Sequence, residues 1–416
     1  MTEHRSNRPI FQSLLLAITA LTTCLTTYEH LSAASGPMTP QELQAFGKQI
    51  QQTAYSQDAA KFRALFDWKT FINRVLGDYE QNPAVKQALQ PVRQQLETAY
   101  TENNQGIDSE ILAEVGSGAD YRFLAMRKEN NEFKVIFRFL RPDWTLNYQA
   151  LIIEKQASGE LKIVDIDSLS TGELISQSLQ RLYLPEIYKA HLDVKDKLSQ
   201  EETSRIISQK KRYDFLTADT EKTDPFQNYS QLPNQYKNDK TVLLFLAQNT
   251  IGTENDKKYQ SVLGAYRKYH PHDPASELLS VDYFTMTKQY KLAIDSLDRL
   301  TAAIKTTDPY LYSVRAGVLI EMGDTSLAGK YASKASELEP DLLQPYLHLI
   351  NLSVMQGQFD VTIKNLDILN NKFGFAYEDL DLSDLENFDK FTASPQFKQW
   401  QAVKKVAAQP KQGSVN

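Results

Sequence analysis

A helical pattern that returns about every thirty-four residues limits what the C-terminal half of this 416-residue chain can become. Three anchors, Pro274, Pro309 and Leu343, are each followed fourteen positions later by a loop residue, Lys288, Gly323 or Gly357. Five residues further on comes a small or short side chain, Ala293, Ala328 or Thr362. The spacing predicts a helix, a tight turn and a second helix, with the small residue where the two helices approach. One such hairpin cannot bury its apolar side alone, so the units have to stack.

Counted from Pro309, the unit has Ala316 eighth, Leu319 eleventh, Gly323 fifteenth, Ala328 twentieth, Ala335 twenty-seventh and Pro340 thirty-second. This order resembles the tetratricopeptide (TPR) repeat. The unit from Leu343 keeps Tyr346, Leu349, Gly357 and Gly374 in matching places, with Thr362 and Leu369 in place of alanines. The unit from Pro274 keeps Phe284 and Ala293 and runs one residue long, and a weaker one from Lys240 keeps Leu243, Leu246, Ala247 and Pro271. Arg315 departs from the pattern at the seventh position, where the family has a buried leucine. A structural salt bridge is its expected role and ligand binding the alternative.

The resemblance implies an all-α, TPR-like solenoid over 240–374, with first-helix side chains lining a concave groove that holds a protein or peptide partner. Asp282 and Asn351 stand ninth in their units and are the groove contacts it implies; Gly317, ninth in the middle unit, has no side chain, so Glu321 one turn on takes its place. Downstream, Phe388, Phe391, Phe397 and Trp400 flank Ser394-Pro395 at near-helical spacing. They resemble the capping helices that close bacterial repeat arrays, here expected over 375–405. A disordered tail is expected over 406–416.

Upstream the period changes. Leu43, Phe46 and Ile50 after the Thr39-Pro40-Gln41-Glu42 start, then Phe62 to Val75 and Val85 to Leu96, read as amphipathic helices. The second of these is broken near Trp68, and the third runs from Pro83 to about Tyr100. From Tyr121 the pattern alternates, and turns at Glu129-Asn130-Asn131, Arg141-Pro142-Asp143 and Ser158-Gly159-Glu160 separate four strands. Helices on one face of a four-stranded antiparallel sheet resemble the cystatin/NTF2-like α+β class over 39–185. That resemblance implies a cone whose cavity could hold a ligand. A small apolar ligand or lipid against Phe133, Phe137 and Tyr148 is therefore the alternative function. Residues 186–239 read as a helical connector in which Ile206 and Ile207 share an apolar side, and Leu182 packs in the helix before Pro185.

The N-terminus reads as an export signal over 1–35, with Arg5 and Arg8 before the apolar run Ile10–Leu25 and small residues at Ser32-Ala33-Ala34-Ser35. Three outcomes stay open: cleavage near Ala34, lipidation at Cys24 within Leu21-Thr22-Thr23-Cys24, or a retained short anchor. Each places the mature chain outside the cytoplasm, in a bacterial periplasm or secreted, with membrane association only through the N-terminus. Cys24 is the single cysteine, so no thiol chemistry is expected beyond it. A net charge of −6 without a basic stripe argues against nucleic acid.

No phosphate-binding glycine loop, nucleophile elbow or His-Glu-x-x-His helix occurs. His270-Pro271-His272-Asp273 reads as a surface loop rather than a metal site. The stretch Glu378–Glu386 reads as a helix start with buried leucines rather than a calcium loop. Asp165 and Asp167 share a strand face, as paired carboxylates of an acid–base site would. The expectation is a non-catalytic interaction scaffold with no cofactor and no metal.

Overall fold

The computed structural model describes residues 37–408 except 103–105, 219–221, 250–255 and 272. The export segment with Cys24, His272 and residues 409–416 lie outside the described residues. Among those described, no helix is long and apolar enough to cross a membrane. The chain divides into two compact units, one of residues 1–219 with 231–233, the other of 220–230 with 234–416.

The first unit opens with α1 (Pro40–Tyr55), capped as its sequence demands: the Glu42 N–H donates to Thr39 Oγ1 at 3.2 Å and the Thr39 N–H to the Glu42 carboxylate at 2.8 Å. The expected break near Trp68 separates α2 (Ala59–Arg63) from α3 (Trp68–Leu76). After a turn at 64–65 the chain bridges to Ile163, whose N–H donates to the Leu65 carbonyl at 2.8 Å and whose carbonyl accepts from the Asp67 N–H at 2.9 Å. The single helix expected from Pro83 is instead α4 (Pro83–Ala88), α5 (Gln90–Glu97) and a π turn at Thr98–Glu102. Pro91 is the cause, because it has no N–H to continue the ladder of α4. A further helix, α6 (Ile107–Gly116), lies where no helix was expected.

The sheet follows as β1 (Asp120–Glu129), β2 (Glu132–Leu140), β3 (Leu146–Lys155) and β4 (Leu161–Ser168), a meander in sequence order. A two-residue fifth strand, β5 (Glu173–Leu174), corrects the expected count of four. It was invisible as a strand because two residues show no alternation. One sheet face carries Val135, Phe137, Leu151, Ile153, Ile163 and Ile166 into a core shared with Ile50, Phe62, Phe71, Leu96 and Ile111 of the helices. Each of the fully buried side chains among these contributes about 1.5–3 kcal/mol of transfer free energy. Gly47 of α1 lets the helix close on β1, since a Cβ there would lie 2.4 Å from the Phe123 ring. Two α1 side chains also reach the strand: the Tyr121 N–H donates to Tyr55 Oη at 3.1 Å and the Phe123 N–H to Gln51 Oε1 at 2.7 Å.

Three helices complete this unit, α7 (Ile175–Leu182), α8 (Leu184–Asp193) and α9 (Gln200–Leu216). Ile187, Ala190 and Ile206 belong to its core, so much of the expected connector is part of the first unit. Leu182 is 61% exposed and Ile207 44% exposed, contrary to their expected packing.

The second unit is helical. Short α10 (Pro225–Ser230) and α11 (Asn234–Lys237) precede α12 (Lys240–Gln248), α13 (Asp256–Tyr269), α14 (Pro274–Met286), α15 (Tyr290–Ile304), α16 (Pro309–Met322), α17 (Thr325–Leu338), α18 (Gln344–Met355) and α19 (Phe359–Ile368). Helices pack on their sequence neighbours, α14 on α15, α16 on α17 and α18 on α19. The turns inside these pairs are alike. Lys288, Gly323 and Gly357 have φ of 58°, 87° and 70°. Their N–H groups donate to the carbonyls of Thr285, Ile320 and Val354 at 3.0, 2.9 and 3.0 Å. The next N–H groups, of Gln289, Asp324 and Gln358, reach Phe284, Leu319 and Ser353 at 2.7, 2.9 and 2.8 Å. That is one Schellman motif three times over.

Ala293, Ala328 and Thr362 are fully buried, where a longer side chain would push the helices apart. Thr362 stands in for alanine because its hydroxyl pairs with Ser353 Oγ at 2.8 Å. Finally, α20 (Phe388–Ala393) and α21 (Pro395–Ala408) bring Phe391 and Phe397 onto Tyr346, Ile350 and Leu366. The Trp400 indole N–H donates to Asp367 at 2.9 Å.

Candidate functional site

The residues singled out for a groove fall on the first helix of each hairpin: Asp282 on α14, Glu321 on α16 and Asn351 on α18. No hydrogen bond or ion pair joins them to one another. Asp282 and Glu321 are exposed and Asn351 is partly so. Among the described residues none of the three side chains has a hydrogen-bond or ion-pair partner. Several other polar groups in the unit are tied into the fold. Buried Glu277 accepts from Arg267 at 3.3 Å and Arg299 at 3.0 Å, and Arg267 also reaches Ser280 at 2.8 Å. Arg315 pairs with Asp298 of the preceding helix and lies over the Tyr331 ring at 5.2 Å, in the structural role its position suggested.

Asp282 combines two properties that rarely coincide. Its side chain is open to solvent, yet surrounding protein disfavours its charge and pushes its pKa up from 3.8 to about 6. A carboxylate on a re-entrant surface behaves so, because protein excludes water from much of its surroundings without covering it. It lies close enough to the Tyr259 phenol on α13 to oppose that group's ionisation.

The gap at Gly317 has an occupant that the sequence did not show. The His348 ring of α18 sits against it, with a Cβ at Gly317 falling 3.3 Å from Cε1 and 3.5 Å from Nε2. Burial lowers the His348 pKa from 6.5 to about 4, against the opposing pull of a hydrogen bond to the Ser313 backbone. The imidazole is therefore neutral at pH 7. Beneath it Ser313 is buried with Oγ unpaired, and Gln344 Oε1 at the start of α18 is unpaired as well. A pair of small and aromatic residues on separate helices, thirty-one positions apart, gives no signal in a single sequence.

The alternative pocket takes a different form from the one expected. Tyr148 pairs with Arg138 and Gln149 with Phe137, so Tyr148 points to the face opposite Phe133 and Phe137. Phe137 is fully buried and stacks on Tyr121 at 4.4 Å. These three residues do not line one cavity.

The remaining singled-out residues make contacts within the fold. Asp165 is buried, accepts from Ser176 Oγ at 2.6 Å and from the Ser176 N–H at 3.2 Å, and so holds the start of α7. Burial raises its pKa. Asp167 lies 3.6 Å from Lys134. His270 Nε2 bonds the Asn238 carbonyl at 2.7 Å. Leu382 is buried in the cluster with Phe391, and Leu380 and Leu385 pack against it. Neither a known family nor a curated protein matches this sequence.

Proposed function

We propose that the helical unit is a TPR-like solenoid that holds an extended, basic segment of a protein partner, and that the chain is an exported, non-catalytic scaffold. The observation that carries this reading is the state of Asp282, Glu321 and Asn351, which hold two carboxylates and a carboxamide free on successive first helices. Free acceptors on successive first helices suit a partner that brings lysine or arginine side chains and backbone N–H groups. The solenoid reading rests on the repeated Schellman turns and on the buried small residue five positions after each.

The test is fluorescence anisotropy of the full chain with labelled lysine- and arginine-rich decapeptides, using glutamate-rich ones as the control. Binding to the basic set, weakened about tenfold in the triple variant Asp282→Asn, Glu321→Gln, Asn351→Ala, is the expected result. Equal affinity for both peptide classes, or no effect of the triple substitution, would refute it.

A further inference from the structure

The second helices of the three alike hairpins carry a row of exposed aliphatic side chains. Leu292 on α15, Leu327 on α17 and Val361 on α19 each stand four residues after the turn residue and directly before the buried small residue. They are 42%, 37% and 43% exposed. A single exposed aliphatic is ordinary on a protein surface, but one repeat position that is apolar and open in three consecutive hairpins is not scatter. Each second helix packs on the first helix of the next hairpin, α15 on α16 and α17 on α18, so the three positions advance by like steps. Further along, the exposed positions are charged: Asp298 and Arg299 on α15, Lys334 on α17.

Charges of both signs border the row, and their order selects the occupant. The residue before each aliphatic runs Lys291, Ser326, Asp360, and the residue three after it runs Asp295, Lys330, Lys364. Residues three and four apart are neighbours on a helix surface, so Leu292 is bordered by Lys291 and Asp295, and Val361 by Asp360 and Lys364 in the reverse order of sign. Among the described residues none of these four charged side chains has a hydrogen-bond or ion-pair partner, although each pair is spaced to bridge within its own helix. A partner of one sign is opposed by like charge at every step of such a row. A copy of the row itself is not, once its ends are exchanged.

We propose that the row is the contact by which this chain pairs with a second copy of itself, the two rows running antiparallel about a two-fold axis that follows α17 through Leu327. Rotation about that axis brings Lys291 opposite Asp360 of the second copy, Asp295 opposite Lys364, Leu292 opposite Val361, and Leu327 opposite its own equivalent. The exposed ion pairs fix the register more than the affinity. The two Lys330 side chains are the one like pair near the axis, and their long stems let the ammonium groups diverge into water. Three aliphatics per copy make a small contact, so the pair is weak and forms with rising concentration. The inference rests on the stacking of like hairpins in the proposed function, but it uses the second helices and leaves Asp282, Glu321 and Asn351 outside the contact.

The test is sedimentation velocity of the full chain from about 1 to 500 μM, beside cross-linking in a Cys24→Ser background. The sedimentation coefficient rises with concentration, and Leu327→Glu weakens association by roughly tenfold or more. Lys291→Glu weakens it as well, and the double variant Lys291→Glu, Asp360→Lys restores it, a rescue that a change in folding does not produce. With a short bismaleimide, Leu327→Cys cross-links to itself, whereas Leu292→Cys and Val361→Cys cross-link only when the two variants are mixed. Basic peptides bind Leu327→Glu as they bind the unaltered chain, so failure of the pair and failure of the peptide groove are read separately. The proposal is overturned if the chain stays monomeric across the range, if Leu327→Glu associates like the unaltered chain, if the charge swap brings no rescue, or if Leu292→Cys cross-links to itself as readily as to Val361→Cys.

Discussion

Lys288 is the one residue of the three equivalent turns that pays for its conformation. At φ 58° its Cβ crowds the following carbonyl, a cost of about 1–2 kcal/mol that Gly323 and Gly357 avoid at 87° and 70°. Substituting Lys288→Gly removes that strain and adds back roughly 0.5–1 kcal/mol of extra chain entropy in the unfolded state. The net expectation is a gain of about 0.5–1 kcal/mol. The reverse substitutions, Gly323→Ala and Gly357→Ala, isolate the backbone term, because an added Cβ meets nothing within 4 Å at either site. Each should cost about 1 kcal/mol. Urea unfolding followed by circular dichroism at 222 nm reads all three, and thermal melting should move by about 2–4 °C per kcal/mol for a unit of this size. Lys288→Ala is the control, since it keeps the strain and removes only the exposed lysine. A gain as large in Lys288→Ala as in Lys288→Gly, or a neutral Gly323→Ala, would show that left-handed strain does not set the stability of these turns.

Other consequences follow from the charged and buried groups. The folded pKa of His348 lies below its unfolded value, so its contribution is complete above about pH 6.5 and is lost as pH falls towards 4. The loss between pH 7.5 and 4.5 is about 2–3 kcal/mol, and urea midpoints of His348→Asn should show a correspondingly smaller drop. Asp282 has the opposite sign: its raised pKa means stability present below 3.8 and lost as pH rises through about 6. Discounted for solvent exposure, Asp282→Asn should stabilise the chain at pH 7.5 by about 1 kcal/mol while weakening basic peptides, and equilibrium unfolding beside anisotropy tests both halves. Glu277→Leu should cost about 2–4 kcal/mol, because Arg267 and Arg299 lose their buried acceptor together. A neutral result in chemical denaturation would mean that the two guanidinium groups are satisfied by water.

How much of this was legible depended on the range of the interaction. The Thr39–Glu42 capping box, the break before Trp68 and the Schellman residues are local, and residue type within a few positions reports them. The four long strands were visible through alternation, whereas α6 was not expected, its Ile107, Ile111, Leu112 and Val115 being too few to stand out beside an adjacent strand. Ile206 and Ile207 show the limit of composition, since neighbours on a helix point about 100° apart and only one reached the core. For the candidate sites, the positions of Asp282, Glu321 and Asn351 came from repeat spacing alone. Their freedom from partners is a property of the folded chain that spacing does not carry. The His348–Gly317 contact arises from chain segments brought together by folding, and nothing in local sequence announces it.

The hydrogen bonds at the two margins of the sheet bear on how the protein behaves when crowded. A strand whose outward N–H and C=O groups are open invites a strand from another molecule. Here Tyr55 and Gln51 occupy the N–H groups of Tyr121 and Phe123 along β1, while the Leu65–Asp67 segment and β5 take up the outward groups of β4 at Ile163 and at Asp167–Ser168. Strand addition by a neighbouring chain is thereby denied at these positions, and a partner has to be met by side chains rather than by extension of the ladder. The same closure guards against edge-to-edge assembly at high concentration, so lesions at Tyr55 or Gln51 should reveal themselves first as a loss of solubility.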